Sequence, residues 1–389
     1  MLKEGEIRIP SGCAIAGMLC RSGRRISGES IIKSIAVMHD RSNGLGGGFA
    51  GYGIYPEYKD YFALHVLYDS LEAREKCERF LDRHFNLINL SKIPTRKLPE
   101  ITNEPLLWRY FVSPLPTKLA ESQLEEYEFT ARCVTKINTE MEGAYVFSSG
   151  KNMGVFKAVG YPEDVGRFYR LEEYSGWCWT AHGRYPTNTP GWWGGAHPFA
   201  LLDYSVVHNG EISSYDANRR YIEMFGYKCN LLTDTEVITY IIDYLVRRMG
   251  LSLKEMASVI AAPFWNTINA LPAQERERLT YFRNAFAPLL ITGPFSILLG
   301  FPNGLMALND RLKLRSMVVG EKGDMAYIAS EECAIRQIAP DLDKVWSPRG
   351  GEPVLWIKHD ARSLQKPYMQ RACPEAESSI MKWGFNYGH

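Results

Sequence analysis

The chain is predicted to be an α+β protein, and three features of its 389 residues predict it. Apolar residues recur at helical spacing in some windows and form short, turn-bounded strings in others. Strand-like strings dominate from Gly143 to His208, and helical material fills Thr233 to Phe286. Strands then return at Phe295–Gly300, Leu305–Leu308, Ser316–Gly320 and Met325–Ser330, which read as a β-meander.

In chain order, Ile15–Leu19 reads as a first strand, and Ile31, Ile32, Ile35 and Met38 mark a helix over Ser30–Met38. The glycine-dense run Asp40–Gly48 must turn tightly before a strand at Phe49–Ile54. Texture changes over about 62–142, where a strand (Phe62–Leu67), a helix (Ser70–His84), a strand (Leu106–Val112) and a charged helix (Leu119–Glu126) suggest an inserted α+β subdomain. Further strands follow at Gly143–Ser148, Met153–Ala158, Trp177–His182 and Ser205–His208. Thr233-Asp234-Thr235-Glu236 predicts a capping box, with Thr233 as N-cap and Glu236 returning the second bond. Residues from about Gln370 read as a tail, giving a division into a leader (1–12), a main domain (13–370) and a tail (371–389).

Composition narrows the function. Lys and Arg total 45 against 44 Asp and Glu, and no block of like charge stands out, so no nucleic-acid footprint is expected. The 8 cysteines show neither C-x-x-C pairs nor ordered Cys/His spacing, so no metal site and no disulfide framework is expected. A reducing cytoplasm fits best. No run approaches a membrane span, and the charged leader (Lys3, Glu4, Glu6, Arg8) lacks the apolar core of a signal peptide.

Five short stretches carry possible chemistry. Ser11-Gly12-Cys13-Ala14-Ile15 sets a thiol at the start of an apolar strand. If the chain is cut before Cys13, one residue holds a nucleophile and an α-amine whose pKa near ~8 suits it to take the thiol proton. The alternative is a small buried hydrophobe. His182-Gly183-Arg184-Tyr185-Pro186-Thr187-Asn188-Thr189 is either a surface turn or a loop whose guanidinium holds a carboxylate. His208-Asn209-Gly210-Glu211 is either an Asn-Gly turn or a pair of N–H donors for a developing oxyanion. Asp234 either complements a helix dipole or pairs with a ligand ammonium. Trp192-Trp193-Gly194-Gly195 is open to two readings as well, a closing lid or packing.

In this order, Cys13–Gly17, His182–Thr189, His208–Glu211 and Thr233–Val237 resemble the class II glutamine amidotransferases, which are N-terminal-nucleophile hydrolases. The likeness is strongest to the glutaminase part of archaeal-type glutamate synthase, through Thr187-Asn188-Thr189 and the His-Asn-Gly-Glu run. Gly304-Leu305 through Asp310-Arg311, Leu314-Arg315 and Ala329-Ser330-Glu331 resemble the C-terminal half of the same enzymes. One departure is Cys13-Ala14 where Cys-Gly is common, which matters only if the backbone there needs positive φ. The other is the twelve-residue leader, whose removal the chemistry requires.

The resemblance implies a four-layer αββα sandwich. It implies that Cys13 attacks the glutamine side-chain amide and that its α-amine shuttles the proton. Asn209 and the Gly210 N–H hold the oxyanion, Arg184 with Thr187 and Asn188 anchors the α-carboxylate, and Asp234 anchors the α-ammonium. No cofactor or metal is expected in this chain, and flavin and iron–sulfur clusters are expected only on partner subunits. Ammonia would then pass to a synthase subunit in a hetero-oligomer, with neither nucleic acid nor membrane as partner. Two other readings are an amidotransferase subunit of another complex, such as an N-methylglutamate synthase, and a silent glutamine-sensing or scaffold subunit.

Overall fold

A computed structural model describes residues 12–185 and 191–359. Its centre is a seven-stranded sheet in which Ala14–Cys20 lies in the middle. Cys178–Gly183, Gly47–Tyr52 and Met153–Ala158 follow on one side, and Met325–Ala329, Val318–Lys322 and Lys344–Trp346 on the other. A five-stranded sheet packs on it, ordered Phe199–Leu201, Tyr204–Gly210, Phe295–Phe301, Gly304–Asn309 and Val354–Ile357. All named pairings in both sheets are antiparallel.

Small residues let the two sheets approach. A methyl group at Gly17 would lie 3.0 Å from Leu298 and 3.3 Å from Leu305 of the facing sheet. Because strand side chains alternate, Gly17 facing inward sets Ile15 and Cys13 on that same inner side. Helices Glu29–Ala36, Pro162–Phe168 and Glu332–Arg336 cover the outer face of the larger sheet. Helices Tyr215–Glu223 and Asp234–Asp243 pack over the smaller one. The layers therefore run αββα, as the resemblance implied.

Phe62–Tyr68, Phe85–Lys92, Leu106–Pro114 and Ala144–Ser148 form a separate four-stranded sheet flanked by helices Leu71–His84 and Glu126–Glu140. The first helix begins as its sequence predicts: the Ser70 hydroxyl accepts from the Ala73 N–H, and Ala73, Cys77, Phe80 and Leu81 make one buried stripe. Ala144–Ser148, read above as following the insertion, pairs with Phe62–Tyr68 inside it. Phe85–Lys92 escaped the reading because it is a mostly exposed edge strand with little apolar alternation.

Two further expectations are corrected. The strands from Phe295 to Ser330 are not one meander: Phe295–Phe301 pairs with Gly304–Asn309 in the smaller sheet, and Val318–Lys322 with Met325–Ala329 in the larger. Thr233 makes no side-chain cap, and Glu236 turns inward to accept from the Leu231 N–H (2.9 Å) and the Tyr240 hydroxyl (3.4 Å). A capping box forms instead at Ser252 and Glu255.

Candidate active site

The end of the central strand places Cys13 between two chain segments. On one side Ala14 pairs with Gly183, so Arg184 and Tyr185 emerge beside the thiol. The Tyr185 N–H donates to Cys13 Sγ at 3.3 Å. On the other side the Ser330 hydroxyl accepts from the Ile15 N–H at 3.1 Å. Ala14 belongs to a regular extended strand, so its methyl is accommodated there.

The smaller sheet supplies the opposite wall. Along Tyr204–Gly210, Asn209 faces the larger sheet, where its Nδ2 donates to Ser330 Oγ (3.4 Å), while His208 points toward the outer helix. Gly210 has φ +146°, and a methyl there would lie 2.0 Å from the Pro294 carbonyl oxygen. Only glycine fits, and the turn it permits sends Glu211 and Ile212 back toward Asp234. The Ile212 N–H donates to Asp234 Oδ2 (3.3 Å), and His208 Nδ1 lies 3.4 Å from Asp234 Oδ1.

Electrostatics set the resting state. Burial pushes the Cys13 thiol up, and Asp234 adds to this. The Tyr185 N–H and the Arg184 and Arg315 guanidiniums pull the other way without prevailing. Burial opposes the Asp234 carboxylate too, yet His208, the Ile212 N–H and the Thr235 hydroxyl outweigh it and hold the carboxyl below its usual range. His182 donates from Nε2 to the His208 carbonyl (3.0 Å) and is driven down to about 3 by burial, so its ring is neutral at working pH.

Cys13, Arg184, Asn209, Gly210 and Asp234, far apart in sequence, thus converge where the sheets end. Thr187 and Asn188 lie outside the described residues. The sequence reading gave no role to His208, Ser330, Arg315 or the Tyr185 N–H. His208, Ser330 and Arg315 stood inside the quoted motifs, whereas a backbone donor leaves no mark in sequence. Trp192 folds its ring onto Gly194 and Gly195, where added methyls would lie 2.1 and 2.5 Å from it, and Lys157 Nζ donates to the Gly194 carbonyl (2.8 Å). That stretch is a packed turn. A cavity of about 650 Å³ opens between Tyr145, Glu142 and Trp192, and none of the converging residues lines it. Among the described residues, no group of three or more His, Cys, Asp or Glu could hold a metal ion, and no helix is long and apolar enough to cross a membrane.

Comparison with known proteins shows the family. The family model for class II glutamine amidotransferases matches residues 68–342, a span holding Arg184, Asn209, Gly210 and Asp234, with Cys13 before it. The chain belongs to that family of enzymes. A protein of Archaeoglobus fulgidus named only as uncharacterised is 50% identical over 358 residues, covering 91% of this chain and 94% of its own. A putative glutamine amidotransferase of Methanothermobacter thermautotrophicus is 25% identical over 337 residues, 84% of this chain and 93% of that one. The amidophosphoribosyltransferase of Methanocaldococcus jannaschii is 26% identical over 212 residues, or 53% of this chain, which spans only 39% of that protein's length. Among solved structures, the phosphoribosylpyrophosphate amidotransferase of B. subtilis covers 89% of this chain and 47% of its own, with TM-score 0.46 and 12% identity.

Proposed function

We propose that the chain, once it begins at Cys13, hydrolyses glutamine through a thioester and delivers ammonia to a partner synthase. The observation that carries this is the meeting of the Cys13 thiol with the Arg184 guanidinium, the Asp234 carboxylate and the Asn209-Gly210 turn at one sheet end. Arg184 takes the substrate α-carboxylate and Asp234 the α-ammonium, so the two ends of an amino acid are read while its side-chain amide reaches Sγ. The α-amine removes the thiol proton, the thiolate adds to the amide carbon, and Asn209 Nδ2 with the Gly210 N–H holds the oxyanion. The ammonium then protonates the departing ammonia, and water releases glutamate from the thioester.

His182 is neutral but has its Nε2 proton committed to the His208 carbonyl, which supports the α-amine rather than this imidazole as the base. The acceptor is proposed to be a split, archaeal-type glutamate synthase whose flavin and iron–sulfur clusters sit on partner subunits; support comes from the Thr187-Asn188-Thr189 and His208–Glu211 likeness. The test compares full-length protein with a chain beginning Met-Cys13, each checked by intact mass. Glutamine hydrolysis should track the fraction of molecules starting at Cys13, with uncleaved protein slower by ~10²- to 10⁴-fold. Equal rates from homogeneous uncleaved protein would remove the α-amine as base.

A further inference from the structure

The space around Gly12 is lined by polar side chains. Gly12 has φ +121°, and a methyl group on it would lie 3.4 Å from Arg315 Nη1, 3.7 Å from Arg41 Nη2 and 3.8 Å from Asn209 Oδ1. This is the space into which the Cys13 α-amine opens once Gly12 is gone. Asn209 is fully buried, and its Oδ1 has no hydrogen-bond partner among the described residues. The Arg315 Nε is likewise buried without a partner, and among the described residues no carboxylate lies within ion-pair distance of that guanidinium.

From this placement the geometry points to Arg315 as a positioning residue for the base, holding the freed Cys13 α-amine in its neutral form while Asn209 Oδ1 accepts one amine N–H. The inference rests on the reading above, in which that amine is the base. Every charged group facing the amine bears on it. Arg41 donates from Nε to the Cys13 carbonyl (3.3 Å) but is bound to Glu331 through Nη1 (2.8 Å), so its charge is largely offset. Arg184 and Asp234, from the neighbouring strand end and the outer helix, carry opposite charges that counter each other in the free enzyme and that the two ends of glutamine meet when it binds. His182 carries none. Arg315, entering from the turn after Gly304–Asn309, is left as the uncompensated positive charge.

A cation a few ångströms from an amine disfavours its ammonium form. The consequence is specific: a neutral amine can accept the Sγ proton, whereas an ammonium cannot. The proton taken from sulfur leaves again on the departing ammonia, so the amine returns to its neutral state each turnover. Asn209 then uses both ends of one amide, Nδ2 toward the oxyanion and Oδ1 toward the base, so its orientation is fixed by two demands rather than one.

The test uses matured enzyme whose intact mass starts at Cys13, with Arg315→Met, Arg315→Gln and Arg315→Lys. Two pH profiles are recorded, kcat/KM for glutamine and the rate of thiol alkylation by iodoacetamide. The acidic limb of both should move up by about one pH unit in the Met and Gln variants, costing about tenfold near pH 6 and narrowing toward alkaline pH. Lysine, which keeps the charge, should restore most of the wild-type limb. A limb that stays in place while the rate falls evenly at every pH would overturn the role of Arg315. Wild-type enzyme with no acidic limb at all would instead overturn the α-amine as base. Should Met destabilise the fold, the Gln variant and the turnover-independent alkylation profile still decide the matter.

Discussion

The cleft at Cys13 and the inserted four-stranded sheet treat polar groups in opposite ways. Around the cleft, His182 Nδ1, His208 Nε2, Asn209 Oδ1 and Arg315 Nε are buried with no partner among the described residues. In the insertion they are largely satisfied: Tyr68 donates to Tyr110, Tyr110 to Glu78, and Arg74 to Glu78 while stacking 3.5 Å over Trp108. Arg109 Nε is an exception there, and that guanidinium lies over the Tyr55 and Phe111 rings. A buried polar atom that neither protein, water nor ligand meets costs about 1–3 kcal/mol, so atoms left open by the protein at one sheet end are ones that water or a ligand must satisfy. The difference separates a region built to receive a ligand from one built to hold its shape.

The widest gap between the two regions should appear at cysteine. Cys13→Ser should lower glutamine hydrolysis by about 10⁴-fold or more, because an alcohol beside this base is a far weaker nucleophile. Cys77→Ala, in the buried stripe of the insertion, should leave turnover per folded molecule unchanged. A comparable loss from both would erase the distinction. Next in size is a packing change: Phe62 is fully buried in the inserted sheet with its ring edge-on to Tyr127 at 5.1 Å. Phe62→Ala should cost about 3–5 kcal/mol in denaturant unfolding while the folded fraction keeps its KM for glutamine. A changed KM would show that the insertion shapes the glutamine site.

How much of this was legible in sequence follows the same division. The cleft was readable because its chemistry is concentrated in short runs: Cys13 before an apolar strand, Asn209-Gly210 after one, and Asp234 at a helix start. Those runs needed only a topology to bring them together. The insertion was readable where burial is periodic, as in Leu71–His84, and unreadable where it is not, as in the exposed edge strand Phe85–Lys92. Sheet membership was the least visible property. Nothing local distinguishes Ala144–Ser148, paired inside the insertion, from Met153–Ala158, a few residues on and in the larger sheet. Glu236 misled for a related reason: its spacing fits a capping box, but tertiary contacts draw its carboxylate inward.

That inward turn yields the smallest predicted effect and the one nearest the border between the regions. Glu236 and Lys157 are both buried, 3% and 1% exposed, behind the Asp234 helix start and the Trp193–Gly195 turn. Burial raises the Glu236 carboxyl from 4.5 to about 7, against the Leu231 N–H, the Tyr240 hydroxyl and Lys157. Burial also lowers the Lys157 ammonium from 10.5 to about 7, with Glu236 opposing and Arg184 assisting, and the ring of Phe199 lies 4.4 Å from Nζ. From about pH 4.5 to 7 the folded chain holds the Glu236 proton that the unfolded chain has released, so this pair's contribution to stability falls as pH rises. From about pH 7 to 10.5 the unfolded chain keeps the Lys157 proton that the folded chain has lost, so the contribution rises again. The pair therefore imposes a minimum near pH 7, with a depth on the order of 1–2 kcal/mol. Urea unfolding at pH 5.5, 7 and 9 should show that minimum in the difference between wild type and Lys157→Met/Glu236→Gln. A difference that peaks at pH 7 would mean a locked ion pair, with the Glu236 carboxyl held below and the Lys157 ammonium above their ordinary ranges, and the border would then be held by charge in the manner of the insertion.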